Sequence, residues 1–266
     1  MKELSLQELK AIELGILKKF HSFCQENHIR YFLAQGTLLG AIRHKGFIPW
    51  DDDVDVIVPR KDYDRLIALF RDDERYRLYA FERNPDYRFP FAKLCDAATC
   101  KVETNYNNGV ELGVDIDIFP LDFWDPEKTG SEIRRIQRNL FFLDLTKLRR
   151  PNSINPIKRA VKGLAMLLCK PIGSRFFIRR IIETAAKKES KPNACLGCKV
   201  WCLYGKRDVH PAEVFAETID VAFEGALFPA PAGYDAYLRN LYGDYMTEPP
   251  EKERKTHHSF QAYRRF

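Results

Sequence analysis

No apolar run in this 266-residue chain approaches the roughly 18 residues that suggest a membrane-spanning helix. The first residues, MKELSLQELK, lack the apolar core of a secretory signal. These absences lead us to expect a cytoplasmic chain, with peripheral contact at the inner face of a membrane left open. Seven cysteines, odd in number and irregularly spaced, do not form the disulfide framework of a secreted domain. What is present describes an ordinary folded protein: 45% of residues are hydrophobic and 30% charged, which excludes a disordered chain. The length allows a substantial core, in one large domain or two small ones.

The net charge of +6 conceals an asymmetry. Residues 149–191 carry twelve Lys or Arg against Glu183 and Glu189, so this stretch alone is +10 and the remainder is −4. Within it, Ile157, Val161, Leu164 and Leu168 fall on one helical face, and Lys158, Arg159, Lys162 and Lys170 fall on the opposite one. Such a helix either lies on an anionic membrane or packs its apolar face on the core and leaves its basic face in water.

The chain is organised around Asp51-Asp52-Asp53-Val54-Asp55-Val56-Ile57-Val58. The β-branched run reads as a strand, and alternation places Asp53 and Asp55 on one face. Neighbouring carboxylates repel, and a cation between them is the cheapest relief. Hard oxygen ligands suit Mg²⁺ or Mn²⁺. A solvated acidic turn is the alternative, but Pro49-Trp50 before the acids and the apolar run after them fit it poorly.

Around this stretch the local signals are ordinary. Ser5-Leu6-Gln7-Glu8 is a capping box, and the spacing predicts a helix from about Leu6 to Cys24. Tyr31 to Ala34 reads as a strand. Gly36 then permits close backbone approach, Thr37 can cap a short helix, Leu38 to Arg43, and amides at its start can hold phosphate oxygens. Arg43, His44 and Lys45 either complement that helix's dipole or reach a phosphorylated substrate. Tyr63, Leu66, Ile67 and Phe70 mark a helix, and Arg77 to Phe81 and Phe89 to Cys95 mark strands. Lys93, among apolar residues, either has an anionic partner or snorkels to the surface. Val114 to Phe119, closed by Pro120, is a further strand on which Asp115 and Asp117 share a face. Thr129-Gly130-Ser131-Glu132 has the look of a second capping box, before a helix to about Leu148. Cys195, Cys198, Cys202 and His210 have ligand-like spacing; they either bind zinc or are buried small hydrophobes.

Gly36-Thr37 followed by Asp53-Val54-Asp55-Val56 resembles the nucleotidyltransferase signature. The longer string GTLLGAIRHKGFIPWDDDVDV resembles the LicD–fukutin family of phosphotransferases, as do IDIFPLD and the C-terminal Tyr242-Gly243-Asp244-Tyr245 with Pro249-Pro250. The resemblance covers most of residues 20–260 discontinuously and is weakest from Thr129 to Lys191. It implies an α/β (α+β) fold, a small mixed sheet of the nucleotidyltransferase type flanked by helices. That core would span about 25–125, followed by a helical basic region at about 129–191 and a C-terminal segment at about 200–260, all in one catalytic domain.

The resemblance also implies transfer of a substituted phosphate, best exemplified by phosphocholine from CDP-choline, to a sugar hydroxyl of a cell-surface glycan. On this reading Asp53 and Asp55 hold Mg²⁺ or Mn²⁺, and Asp117 completes the site and takes the hydroxyl proton. Asp115 is its understudy, and Asp51 either orders the array from behind or joins it. Arg43, Lys45 and Lys93 would contact the phosphates. Trp50, Trp124, Tyr242 and Tyr245 are available to wall a head-group pocket, where a choline cation would meet ring faces. The implied partners are a CDP-linked donor and a glycan, and no nucleic acid. Rival readings are another CDP-alditol donor, plain nucleotidyl transfer from a nucleoside triphosphate, and a non-catalytic membrane-associated scaffold.

Overall fold

The computed structural model describes residues 2–186, 194–256 and 260–265. Lys187, Lys188 and Lys191 of the basic run lie outside them. In chain order the elements are β1 (Lys2–Glu3), α1 (Leu6–Glu26), β2 (Phe32–Leu33), α2 (Gln35–His44), β3 (Asp55–Pro59), α3 (Arg60–Leu69), β4 (Tyr76–Tyr79), β5 (Ala92–Asp96), β6 (Thr99–Val102) and β7 (Asp115–Trp124). There follow α4 (Thr129–Lys147), α5 (Pro156–Cys169), α6 (Ser174–Ala185), β8 (Cys195–Cys198), β9 (His210–Pro211), β10 (Thr218–Phe223), β11 (Ala226–Pro231), α7 (Tyr234–Tyr242) and β12 (Gln261–Arg264).

The central sheet has the strand order β2-β3-β7-β5-β4, with β8 and β9 continuing beside the far end of β7. Only β3 and β7 pair in parallel; their neighbours pair antiparallel, so the sheet is small and mixed as expected. Val54, Val56, Val58, Ile116 and Ile118 are fully buried on its packed face. Helix α1 begins at the capping box read from sequence: the Glu8 amide donates to Ser5 Oγ and the Ser5 amide to the Glu8 carboxylate. Its buried stripe of Leu9, Ile12, Ile16 and Phe20 joins one continuous core with the sheet.

Strand β7 does not stop at Pro120, as its sequence suggests, but runs on to Trp124. The register explains this tolerance. The Asp117 amide points to β3, where it meets the Val54 carbonyl at 2.8 Å, so alternation turns the ring nitrogen of Pro120 to the other side. There β5 pairing has ended at Ile118 and β8 pairing starts only at Leu121. No ladder bond is lost in that gap.

One further expectation differs. Helix α4 has no side-chain cap, because Thr129 and Ser131 donate their hydroxyls to the carbonyls of Asp125 and Lys128 instead. Helix α5 buries Met166 and Cys169 against Leu145 and Leu148, so it is the opposite face that packs. Ile157 is 74% exposed, and Val161, Leu164 and Leu168 are also exposed, so of the two arrangements left open by the sequence the stripe does not pack on the core and faces outward. Among the described residues no helix is long and apolar enough to cross a membrane.

Candidate active site

Three neighbouring strands assemble the acids. Parallel pairing sets Asp55 of β3 directly opposite Asp117 of β7, and on the other side of β7 the same Asp117 pairs with Lys93 of β5. Asp55, Asp117 and Lys93 therefore form one row on one face of the sheet. Asp53 lies in the loop just before β3, and Asp53, Asp55 and Asp117 all line a cavity of about 530 Å³. Arg43, Trp50, Tyr242 and Tyr245 line the same cavity. A second cavity of about 290 Å³ shares Asp53, Asp117 and Trp201 with the first. Asp53 and Asp117 thus stand between two spaces, and Asp55 faces the larger.

Helix α2 holds Asp55 in place. Its start is tightly bent: Gln35 has φ 46°, a left-handed value that few non-glycine residues adopt, and its amide donates to the Tyr237 hydroxyl at 3.3 Å. Gly36 follows, and a Cβ there would come within 2.8 Å of the Asp51 carboxylate. Glycine lets the helix start and the acidic loop approach this closely. Thr37 is buried, and its hydroxyl accepts the Asp55 amide at 2.8 Å. It therefore fastens the acidic strand and does not cap the helix as expected, since the helix already begins at Gln35 with Ala34 as its N-cap.

Electrostatics separates the acids. Burial raises the Asp55 carboxyl well above the usual range, and Asp53, Asp117 and Asp51 add to that rise. Asp117 is also raised, by burial before all else, although Lys93 opposes the rise. Asp115 is buried too, yet Lys101 and Lys93 outweigh that burial and hold it below the usual range. Lys93 Nζ donates to Asp115 Oδ1 at 2.8 Å and to Asp117 Oδ1, while Lys101 Nζ lies 2.7 Å from Asp115 Oδ2. Asp115 is thus paired with two lysines. Lys93 is 6% exposed and does not snorkel. Its anionic partners here are the protein's own carboxylates, and it lines the smaller cavity.

Other expected residues divide. Arg43 lines the cleft and donates to the Tyr245 carbonyl at 2.8 Å. Lys45 is exposed at the end of α2 and is not among the cleft-lining residues. Trp50 lines the cleft with the Arg254 guanidinium 5.3 Å from its ring centre. The Tyr245 hydroxyl donates to Asp235 at 2.7 Å. Trp124 is fully buried with Lys199 4.9 Å from its ring, away from the cleft. It lies seven residues beyond Asp117 on the same strand, an odd offset that places it on the opposite face.

The expected zinc ligands do not converge. Cys195 and Cys198 lie three apart on β8, so their thiols leave opposite faces of the strand. Cys202 Sγ donates to the Gly205 carbonyl, and the His210 ring stacks on Tyr237 with centroids 4.5 Å apart. Among the described residues no three His, Cys, Asp or Glu side chains are closed tightly enough to hold an ion as they stand. For the acids, this leaves Asp53, Asp55 and Asp117 open to one cavity without being drawn together.

The site also contains residues that sequence reasoning missed. Trp201, beside the cysteines, borders both cavities and packs on Phe91 with centroids 5.1 Å apart. Tyr204 lines the larger cavity edge-on to Tyr242. Their aromatic cluster, Val-Trp-Cys-Leu-Tyr, was the available signal. Glu13 of α1 and Lys147 of α4 line the smaller cavity, both buried. Burial raises the Glu13 carboxyl well above its usual range, and Asp53 adds to this. Burial also lowers Lys147 to about 7, with its ammonium 3.3 Å from the Phe89 ring centre. Each is a lone charge in a helical pattern, which carries no signal of its own.

Comparison with known proteins accords with this geometry. Residues 28–142 match the family described as LicD/FKTN/FKRP, nucleotidyltransferase domain. The lipopolysaccharide cholinephosphotransferase LicD of Haemophilus influenzae is 33% identical over 276 residues, covering 99% of each chain. Two uncharacterized proteins, from Rickettsia typhi and Rickettsia prowazekii, match shorter parts. The first is 41% identical over 75 residues (27% of this chain and 24% of its own), and the second 40% over 63 residues (23% and 24%). The full-length similarity, together with paired acids on parallel strands beside a glycine-led helix, shows that this chain belongs to the LicD family.

Proposed function

We propose that this chain transfers phosphocholine from CDP-choline to a sugar hydroxyl of a cell-surface glycan, with Mg²⁺ or Mn²⁺ bound at the acids. One observation carries the reading: Asp53 and Asp117 stand between two cavities, with Asp55 facing the larger, in a chain similar from end to end to a lipopolysaccharide cholinephosphotransferase. The donor set fits the cation. Its groups are carboxylates, which hard divalent ions prefer, and their burial together leaves negative charge that Lys93 offsets only in part. Asp53 and Asp55 would hold the ion, with Asp117 beside them. When bound, such an ion neutralises the donor phosphates.

The chain's own groups supply the rest. The acceptor oxygen forms a bond to the phosphorus that bears choline, the bond from that phosphorus to the bridging oxygen breaks, and CMP leaves. Asp117, with a raised carboxyl at the meeting of both cavities, is placed to accept the hydroxyl proton. Arg43 supports charge on the nucleotide side. Trp201, Trp50, Tyr204 and Tyr242 line the larger cavity, where a quaternary ammonium would meet aromatic rings. Seven free cysteines and a nucleotide donor suit the reducing cytoplasm.

The test is nucleotide release across CDP-choline, CDP-ribitol, CDP-glycerol and nucleoside triphosphates, with divalent cation and glycan acceptor. CMP should accumulate with CDP-choline, in step with phosphocholine on the glycan. CMP only from an alditol ester would change the head group. Pyrophosphate from a triphosphate, with no CMP from any ester, would overturn the reading in favour of nucleotidyl transfer.

A further inference from the structure

Helix α5 is mounted with its apolar stripe outward. At 3.6 residues per turn, Ile157, Val161, Leu164 and Leu168 fall within about 60° of arc, and all four are exposed. Leu167, 68% exposed, widens the stripe, and Ile172 and Phe176 extend it across the turn into α6. The helix meets the protein through Met166 and Cys169 on the other side, so the stripe is not a core face left half covered. Monomeric surfaces seldom carry so many contiguous large apolar side chains without a partner.

The rim identifies that partner. Lys158 of α5 lies about 90° around the helix axis from the middle of the stripe, and Arg179 and Arg180 of α6 lie on either side of Phe176; all three are exposed. Residues 149–186 hold nine Lys or Arg against Glu183 alone. A second copy laid on this face would set one basic rim against another, with almost no acid to offset it. Anionic lipid complements both features at once. The apolar side chains enter the boundary between head groups and acyl chains, and the long basic side chains reach outward to lipid phosphates.

We propose that the outward face of α5, continued by Ile172 and Phe176, is a docking surface for a membrane containing anionic lipid, lying in the interface without crossing it. This stands on the helix alone and does not depend on which group the enzyme transfers. It implies that the chain works beside a membrane surface, where a lipid-borne acceptor would be concentrated.

The test is co-sedimentation of the full chain with vesicles of phosphatidylcholine alone, or with about a third phosphatidylserine, at low and high salt. The wild-type chain should bind the anionic vesicles, and salt should weaken the binding. Val161→Glu with Leu168→Glu should reduce binding by about tenfold or more. The melting temperature should stay unchanged, because neither side chain is buried. Lys158→Glu with Arg179→Glu should weaken binding to anionic vesicles only. Equal binding by wild type and Val161→Glu/Leu168→Glu would overturn insertion of the stripe. A concentration-dependent dimer that this variant dissolves, with no vesicle binding by the wild type, would show that a second copy is the occupant.

Discussion

Asp55 and Asp117 lie opposite each other in parallel register on adjacent strands, and Lys93 lies opposite Asp117 on the third. Lys93 pairs with Asp117, while Asp55 is raised by burial and by its acidic neighbours.

Removing a ligand should abolish transfer without unfolding the chain. Asp53→Asn, Asp55→Asn and Asp117→Asn should each lower the rate on the order of a thousandfold. Far-ultraviolet circular dichroism should remain that of the wild type. Near-wild-type turnover by any two of the three would remove these acids from the chemistry.

The same crowding sets a pH dependence. The Asp55 carboxyl is raised in the folded state, so between its unfolded and folded values the native chain binds more protons than the unfolded one. In the absence of divalent cation, stability should therefore fall as pH rises through that window, and the loss should persist above it. Asp55→Asn should flatten this slope and raise the melting temperature near neutrality by about 2–4 °C per kcal/mol gained. Thermal scans from pH 4 to 8 in chelator would show it; a variant less stable than wild type at pH 8 would contradict it.

Lys93 is a structural cation as well as an electrostatic one. Lys93→Met strips Asp117 of its buried ion pair and leaves Asp115 with Lys101. Breaking a buried pair from one side costs about 3–5 kcal/mol. Urea denaturation should register a loss of this order, and a change under about 1 kcal/mol would show that the pair contributes little.

The head-group wall is testable through Trp201. Trp201→Ala removes the ring shared by both cavities. If that ring faces a quaternary ammonium, kcat/KM for CDP-choline should fall about tenfold. That for CDP-glycerol, which carries no cation, should change much less. Equal losses for both would mean that Trp201 only shapes the cleft.

Much of the site is legible locally. Alternation alone puts Asp53 with Asp55 and Asp115 with Asp117; β7 carries the second pair, and the first pair lines one cavity although Asp53 precedes the strand. The capping box at Ser5 forms as read, because its bonds span only four residues. The roles of Trp124 and of Cys195 with Cys198 were open to the same parity argument: odd offsets along a strand separate side chains across the sheet.

What the sequence determined by itself is periodicity: which side chains share a face, where helices start, and that paired carboxylates stand together. Which neighbour each face meets was decided by tertiary structure. Lys93 could be read as needing an anion, but only the register of β5 on β7 makes that anion Asp115 and Asp117. Helix α5 shows the limit most clearly. Its two faces are legible in the pattern of Ile157, Val161, Leu164 and Leu168, yet the pattern is the same whether that stripe meets a core or a lipid surface. Packing of Met166 and Cys169 on Leu145 and Leu148 turned the stripe outward, because a helical period defines a direction around the axis and carries no information about what lies in that direction.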